Sequence, residues 1–490
     1  MKSRLLILFV ALGFIQCSDF LEEQSQSEIR PSTVSDMEKI LESTAYPTAE
    51  MGTLLGRKTE IFTDNVKSNI VTDGAYKSMK DKELWRFRWD PMMFNTGGGG
   101  LDVSFWQLPY EGIKGCHLIM EYIDGMVGNE VRKAHMKGEV YALRAYYYYM
   151  LVNFFGLPYN YGDPSKNPGV PLKLTLGVTD EQFKRNSVKE CYDQIVKDLK
   201  TGTELMKANQ EQSSKLIARL NYVAGYALLS RVYLQMNDWD RTIAYADSVL
   251  EVRPELLDFY NTSTSMTGVY HENTPVEALW AIHEKSIDDF DIVKAHGPST
   301  ELTDLYVLYD LDPNATDYRY SHNTLGFFRR SWMNPEFGYL EVIKGQLSQY
   351  TNNGGIRTAE VYLNRAEAYI RKYMESGNRE EAQTALDNLN TLRRNRFNRS
   401  IVDKTLDAFA NADELLDFCL RERRRELCYE ANTRWFDLRR LGMPRIVHRF
   451  LDNDNGYVTE YVLEKEDSRY VLPIPEAVSE RNPNLKGNEL

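Results

Sequence analysis

The chain has 490 residues, 42% hydrophobic and 27% charged, with 59 basic against 71 acidic side chains and a formal net charge of −12. That length supports a large core with more than one packing unit and excludes a small disulfide-held scaffold. A mildly acidic chain repels phosphate, so nucleic acid is not an expected partner.

The N-terminus carries the first signal. Lys2 and Arg4 precede an apolar run from Leu5 to Ile15, and Cys17 then opens the polar stretch Ser18-Asp19-Phe20-Leu21-Glu22-Glu23. A charged start, a short apolar core and an abrupt polar change mark an export signal over residues 1–16. Eleven helical residues rise only about 16 Å, short of a hydrocarbon core roughly 30 Å thick. A cysteine at the cleavage point can carry diacylglycerol, and at about 0.8 kcal/mol per buried CH₂ two or more acyl chains anchor stably. Ile15-Gln16-Cys17-Ser18-Asp19 resembles the looser lipobox of Gram-negative surface lipoproteins, and the acidic run after it resembles their surface-export signal. Cys17 is the expected lipid attachment, and the membrane is reached through that lipid.

Helical periodicity dominates the remainder of the chain. Ala134, Gly138, Tyr141, Ala142, Ala145, Tyr148, Tyr149, Val152 and Phe155 step by three or four, which predicts one buried helical face, stopped by Gly156 and Pro158. A hairpin is predicted from Asn221 to about Met236, turning at Asn237-Asp238 and returning from Trp239 to Leu250. Another runs from Thr358 to Tyr373, turns at Ser376-Gly377-Asn378 and continues from Glu380 to about Arg396. Further helices are expected over Asp413 to Asn432 and Arg434 to Leu441, with extended pieces at Val458 to Leu463 and Arg469 to Pro473. Alanines at the expected crossings (Ala227, Ala244, Ala246, Ala359, Ala366, Ala368, Ala382, Ala385) follow the logic of tetratricopeptide pairs, without a steady repeat of ~34 residues. Long irregular segments separate the pairs, at Ile61 to Leu108, Pro158 to Thr179 and Thr262 to Asn353, and loops of that length are usually functional.

Catalytic signatures are missing. There is no HExxH, GxSxG or P-loop motif, and Gly97-Gly98-Gly99-Gly100 runs into Leu101-Asp102, which reads as a flexible surface loop. Asp452-Asn453-Asp454-Asn455-Gly456 fails the calcium-loop register, since the twelfth position is Leu463. Cys116, Cys191, Cys419 and Cys428 are scattered and read as buried thiols. Glu422, Glu426 and Glu430 interleave the arginines of residues 421–425, so that cluster reads as a helix tied to its neighbours by ion pairs. No cofactor and no metal is expected, and the chain reads as a binder rather than an enzyme.

Several segments share one resemblance. Arg357-Thr358-Ala359-Glu360-Val361-Tyr362-Leu363-Asn364-Arg365-Ala366-Glu367-Ala368-Tyr369 resembles a signature of SusD/RagB-like nutrient-binding lipoproteins. So do Glu422 to Glu430, Arg434-Trp435-Phe436-Asp437-Leu438-Arg439-Arg440, and the ending Leu472-Pro473-Ile474-Pro475 with Asn482-Pro483-Asn484-Leu485. Gly138 to Tyr147 and Trp106 to Ile113 are similar to upstream motifs of the same family. The resemblance implies a mainly α fold of irregular tetratricopeptide-like helix pairs with long inserted loops and a few short β-hairpins. It divides the mature chain into an N-terminal region, 17–215, and a C-terminal region, 216–490, of one integrated domain. It also implies an outer-membrane surface lipoprotein that binds oligosaccharide or polysaccharide and acts as the lid of a TonB-dependent SusC-like barrel transporter. The same architecture binding oligopeptides is the alternative, and a surface glycan-degrading enzyme a weaker one.

Glycan recognition wants flat aromatic faces flanked by polar groups. The first irregular segment offers Asp64, Asn65, Asp73, Tyr76, Trp85, Arg86 and Trp89, and the segment from Thr300 to Tyr350 offers Tyr306, Arg330, Trp332 and Tyr339. Trp85, Trp89 and Trp332 stand first among them.

Overall fold

The computed structural model describes residues 31–56, 58–69, 74–100, 102–177, 181–210, 217–262, 269–270, 276–284, 296–307, 315–321, 326–330, 340–342, 344, 351–452 and 456–488. The signal, Cys17, Asp73, Trp332 and Tyr339 lie outside them, and of Tyr76 and Arg330 only the backbone is described.

The architecture is mainly α. Ser104–Tyr122 packs on the long helix Glu130–Phe155, which packs along Val188–Ala208, and that helix in turn meets Tyr222–Gln235. Tyr222–Gln235 pairs with Trp239–Leu250, Thr358–Ser376 pairs with Arg379–Arg394, and Ala412–Leu427 closes on Thr358–Ser376. Both predicted hairpins are present, and their turns have the expected chemistry. Gly377 adopts φ 71°, the left-handed cap an L side chain resists, and Asn378 then accepts the Glu380 N–H to start the next helix. Asn221 and Asp238 cap the helices of the other pair in the same way.

The long helix departs from its expected single buried face. From Ala142 onward it is buried all round, so all four rings of Tyr146 to Tyr149 are in the core, while Ala134 and Tyr141 are half-buried. Its crossing with Val188–Ala208 is made by glycines rather than alanines. A Cβ on Gly202 would sit 2.5 Å from the Gly138 carbonyl oxygen, so two backbones touch where neither carries a side chain. Of the predicted crossing alanines, Ala244 is instead exposed.

Among the described residues, strands are few and paired in twos, all antiparallel: Val66–Ser68 with His296–Pro298, Ala278–Glu284 with Thr351–Arg357, Phe328–Arg330 with Leu340–Val342, and Ile446–Leu451 with Val458–Leu463. The first strand of the last ladder was not expected, and Arg469 to Pro473 forms a short 3₁₀ turn and coil instead of a strand. Val188–Ala208, and Gly74–Phe87 within a segment read as irregular, are helices the periodicity did not reveal.

The family-like motifs supply buried ion-pair clusters. Glu426 accepts from Arg319 Nη1 at 2.9 Å, Arg357 Nη1 at 2.5 Å and Arg396 Nη2 at 2.9 Å. Glu277 receives Arg357 and Arg396, and Glu430 receives Arg357 and Lys344, each within 2.8 Å. Glu360 clasps Arg231, Glu367 clasps Arg440, and Asp437 holds Arg423 and Arg440. The arginine-rich helix is therefore structural. Cys116, Cys191, Cys419 and Cys428 are buried free thiols.

Candidate functional site

Most described candidates from the first irregular segment are used internally. Arg434 binds Asp64 through two hydrogen bonds, of 2.8 and 2.7 Å, and Arg424 adds a third contact. Burial resists ionisation of Asp64, yet these guanidiniums hold its carboxyl well below the usual range. Asn65 is buried between Glu60 and Arg424. Arg86 is paired with Glu83 and with Asp102, whose carboxyl burial would raise but Lys58 and Arg86 hold down at about 2.

Trp89 and Tyr306, read from sequence as ligand platforms, are corrected by their burial. The indole of Trp89 is fully buried, donates to the Phe62 carbonyl and stacks on His448 with ring centres 4.1 Å apart. Tyr306 packs against Tyr320 and Phe328, and its hydroxyl donates to the Arg425 carbonyl. Trp85 is half-buried and carries the Arg88 guanidinium over its ring at 4.2 Å. The tetraglycine beside it is a folded turn. Gly98 and Gly99 lie so close to the Met92 and Met93 carbonyls that a Cβ would come within 2.3 and 2.4 Å, which requires glycine there irrespective of flexibility.

A groove that the sequence did not single out lies next to this turn. It encloses about 720 Å³, within the range of small-molecule sites of roughly 300–1,000 Å³. Three segments wall it. Ser104–Tyr122 supplies Trp106, Tyr110, Lys114 and His117, at spacings of four, four and three, which places them along one helical stripe. The loop from Pro171 to Gly177, with Phe183, forms the second wall, and the terminal helix Glu476–Arg481 with Asn482 and Leu485 forms the third.

Hydrogen bonds fix these walls. Tyr110 donates to the Pro171 carbonyl at 2.8 Å, while Tyr148 donates to the Lys173 carbonyl, with His117 Nε2 3.0 Å from the same oxygen. Burial lowers the His117 pKa, which favours the neutral ring. Asn482 donates to the Phe183 carbonyl, and Asn95 accepts from the Glu476 N–H, which ties the terminal helix to the glycine turn. Trp106, its ring 5.3 Å from that of Tyr110, forms the floor with little exposure, and Tyr110 and Phe183 are half-buried.

The polar lining is basic. Lys173 lies 5.7 Å from the Phe183 ring centre and donates to Thr175 Oγ1 and the Gly177 carbonyl. Lys114 and Arg481 are exposed, and Glu111 is held by Gln107 at 2.6 Å. Apolar ring surface beside donors and acceptors suits a ligand with both C–H faces and hydroxyls. The stripe Trp106, Tyr110, Lys114 is legible in the sequence as i, i+4, i+8 spacing, and Trp106 and Tyr110 also belong to a family-like motif. Among the described residues, no three His, Cys, Asp or Glu side chains gather as a metal site, and no helix is long and apolar enough to cross a membrane.

Two family profiles match the chain: one described as "Starch-binding associating with outer membrane" over residues 19–234, the other as "SusD family" over 258–490. In sequence the chain is similar to SusD-like protein P2 of Formosa agariphila, 23% identical over 537 residues and covering 99% of each chain. In fold it is similar to a SusD superfamily protein from Bacteroides thetaiotaomicron, at 19% identity and TM-score 0.71, covering 94% of this chain and 100% of that one. A SusD-like carbohydrate binding protein from Bacteroides vulgatus matches at 17% identity and TM-score 0.66, covering 93% and 97%.

Proposed function

The chain belongs to the SusD/RagB-like family, and from that premise we propose that it is a non-catalytic surface lipoprotein that captures oligosaccharide in this groove. Acylated at Cys17, it would sit outside the outer membrane and deliver its ligand to a TonB-dependent SusC-like barrel, over which it acts as a lid. The observation that carries the binding role is the groove itself: aromatic rings on one helix, with polar groups brought to them by two further segments. Trp85 remains a proposed ligand contact, as do Asp73, Tyr76, Arg330, Trp332 and Tyr339, whose side chains lie outside those described.

The test uses the lipid-free mature protein and a panel of oligosaccharides in titration calorimetry. Binding that Tyr110→Ala weakens about tenfold or more, the loss of roughly 1.4 kcal/mol, supports the groove. A folded protein that binds none of the panel but binds oligopeptides sinks the glycan reading. For the anchor, Cys17→Ala should release soluble protein; a variant that stays with the outer membrane contradicts it.

A further inference from the structure

We infer that the groove selects saccharides carrying anionic groups, a uronate carboxylate or a sulfate ester, over neutral ones; this rests on the groove being the glycan site. Three of the charged groups that line it are cations, Lys114, Lys173 and Arg481, against the one carboxylate of Glu111. Among the described residues none of the three cations is paired with a carboxylate. Lys173 is held by a hydroxyl and a carbonyl, and Glu111 is held by an amide. His117 is the remaining titratable imidazole of the lining, and its burial disfavours the charged form.

This pattern runs against the rest of the molecule. The chain carries a net charge of −12, so an anion meets general repulsion except where cations are concentrated. The three cations also come from three different walls, the Ser104–Tyr122 helix, the 171–177 loop and the terminal helix. A ligand in the groove can therefore meet a cation from each of the three walls. Adjoining this groove, a second cavity of about 630 Å³ shares Lys173, Thr175 and Phe183 and adds Lys184 and Arg185, alongside Glu181 and Glu190. Lys114 and Arg481 are exposed and act through water, so the attraction is screened over a Debye length of about 8 Å at physiological salt.

The experiment compares tetragalacturonate, a sulfated carrageenan tetrasaccharide, cellotetraose and carboxyl-reduced tetragalacturonate on the lipid-free mature protein at low and physiological salt. At least one anionic tetrasaccharide is expected to bind about tenfold tighter than the neutral pair. That advantage should shrink with salt and disappear in the Lys114→Ala/Arg481→Ala double variant, whose melting temperature should match the parent. Preference for tetragalacturonate alone assigns the carboxylate, and preference for the carrageenan fragment alone assigns the sulfate. Equal binding of all four, lost in Tyr110→Ala, overturns the anionic preference and leaves the glycan groove standing. An anionic advantage unchanged in the double variant also overturns it. A folded protein that binds none of the four overturns the groove reading and this inference with it.

Discussion

The buried arginine network and the groove put cationic side chains to opposite ends. In the core, Arg319, Arg357 and Arg396 are fully buried and converge on Glu426, with Glu277, Glu422, Glu430 and Asp317 as further carboxylate partners and Lys344, Arg393 and Arg425 as further cations. In the groove, Lys114, Lys173 and Arg481 have no carboxylate partner among the described residues and keep contact with water. A buried ion pair recovers its desolvation cost only through close geometry and full hydrogen bonding, so its main effect is to fix which segments meet. Here it joins strand Thr351–Arg357, helix Ala412–Leu427 and the residues around Asp317 and Glu277, which lie far apart in sequence. Lys173 ties its own loop through Thr175 and Gly177, whereas Lys114 and Arg481 are exposed and join no other segment by an ion pair among the described residues. In the arginine network charge is cancelled where it sits, whereas among the described residues the buried Arg439 is held by the Asn153 and Gly156 carbonyls alone.

The sharpest way to break that contrast is to remove the hub. Glu426→Ala takes one carboxylate from three buried guanidiniums, leaving Arg319 to Asp317 and Glu422, Arg357 to Glu277 and Glu430, and Arg396 to Glu277, and breaking a buried pair typically costs about 3–5 kcal/mol. A denaturant melt should show the variant severely destabilised or unfolded; a parental midpoint would mean the network is dispensable. Acid attacks the same core more gradually. Burial resists ionisation of Glu422 and Glu430, but Arg319, Arg425 and Arg393 for the first, and Arg357 and Lys344 for the second, hold both at about 2. Because the folded pKa lies below the unfolded one, this stabilisation is complete above the ordinary carboxylate range and is lost as pH falls from about 4.5 towards 2. Each group contributes about 3 kcal/mol by linkage. Thermal melts across that window should therefore fall steeply, and a flat profile would contradict the assignment.

The packing of the scaffold gives a smaller effect with a contested sign. Helix propensity alone makes Gly202→Ala stabilising by up to about 1 kcal/mol. The added Cβ would lie 2.5 Å from the Gly138 oxygen and 3.0 Å from the Ala142 nitrogen, both backbone atoms that cannot rotate away. Separating the two helices costs about 1–3 kcal/mol, so packing wins and the variant should melt lower. A higher melting temperature would show that the crossing has slack.

These elements also show what the sequence made legible. Period and caps exposed the hairpins, because Gly377-Asn378 and Asn237-Asp238 are local signals whose chemistry is complete within a few residues. Interleaved Glu and Arg between residues 421 and 430 signalled ion pairing, though not the partners, which are Arg319, Arg357 and Arg396 for Glu426 and Arg357 and Lys344 for Glu430. Aromatic residues were less readable. Trp89 and Tyr306 have the composition of a sugar platform, and only tertiary contacts with Phe62, His448 and Arg425 decide that they are core. The groove was hidden for the same reason, since Tyr110, Phe183 and Arg481 meet only after the loop and the terminal helix fold onto Ser104–Tyr122.

The smallest expected effect tests the other half of the contrast. Lys114→Ala and Arg481→Ala each remove an exposed cation with no ion pair among the described residues, so neither deletes a fold-determining contact. Surface changes of this kind usually move stability by no more than about 0.5 kcal/mol, and both variants should melt with the parent. Charge reversal, Lys114→Glu, sharpens the point: stability should again hold, while an anionic tetrasaccharide should bind more weakly than to Lys114→Ala, since a repulsive group replaces an absent one. A Lys114→Glu protein that unfolds would place this lysine with the structural charges, and the division between core and groove would have to be redrawn at the Ser104–Tyr122 helix.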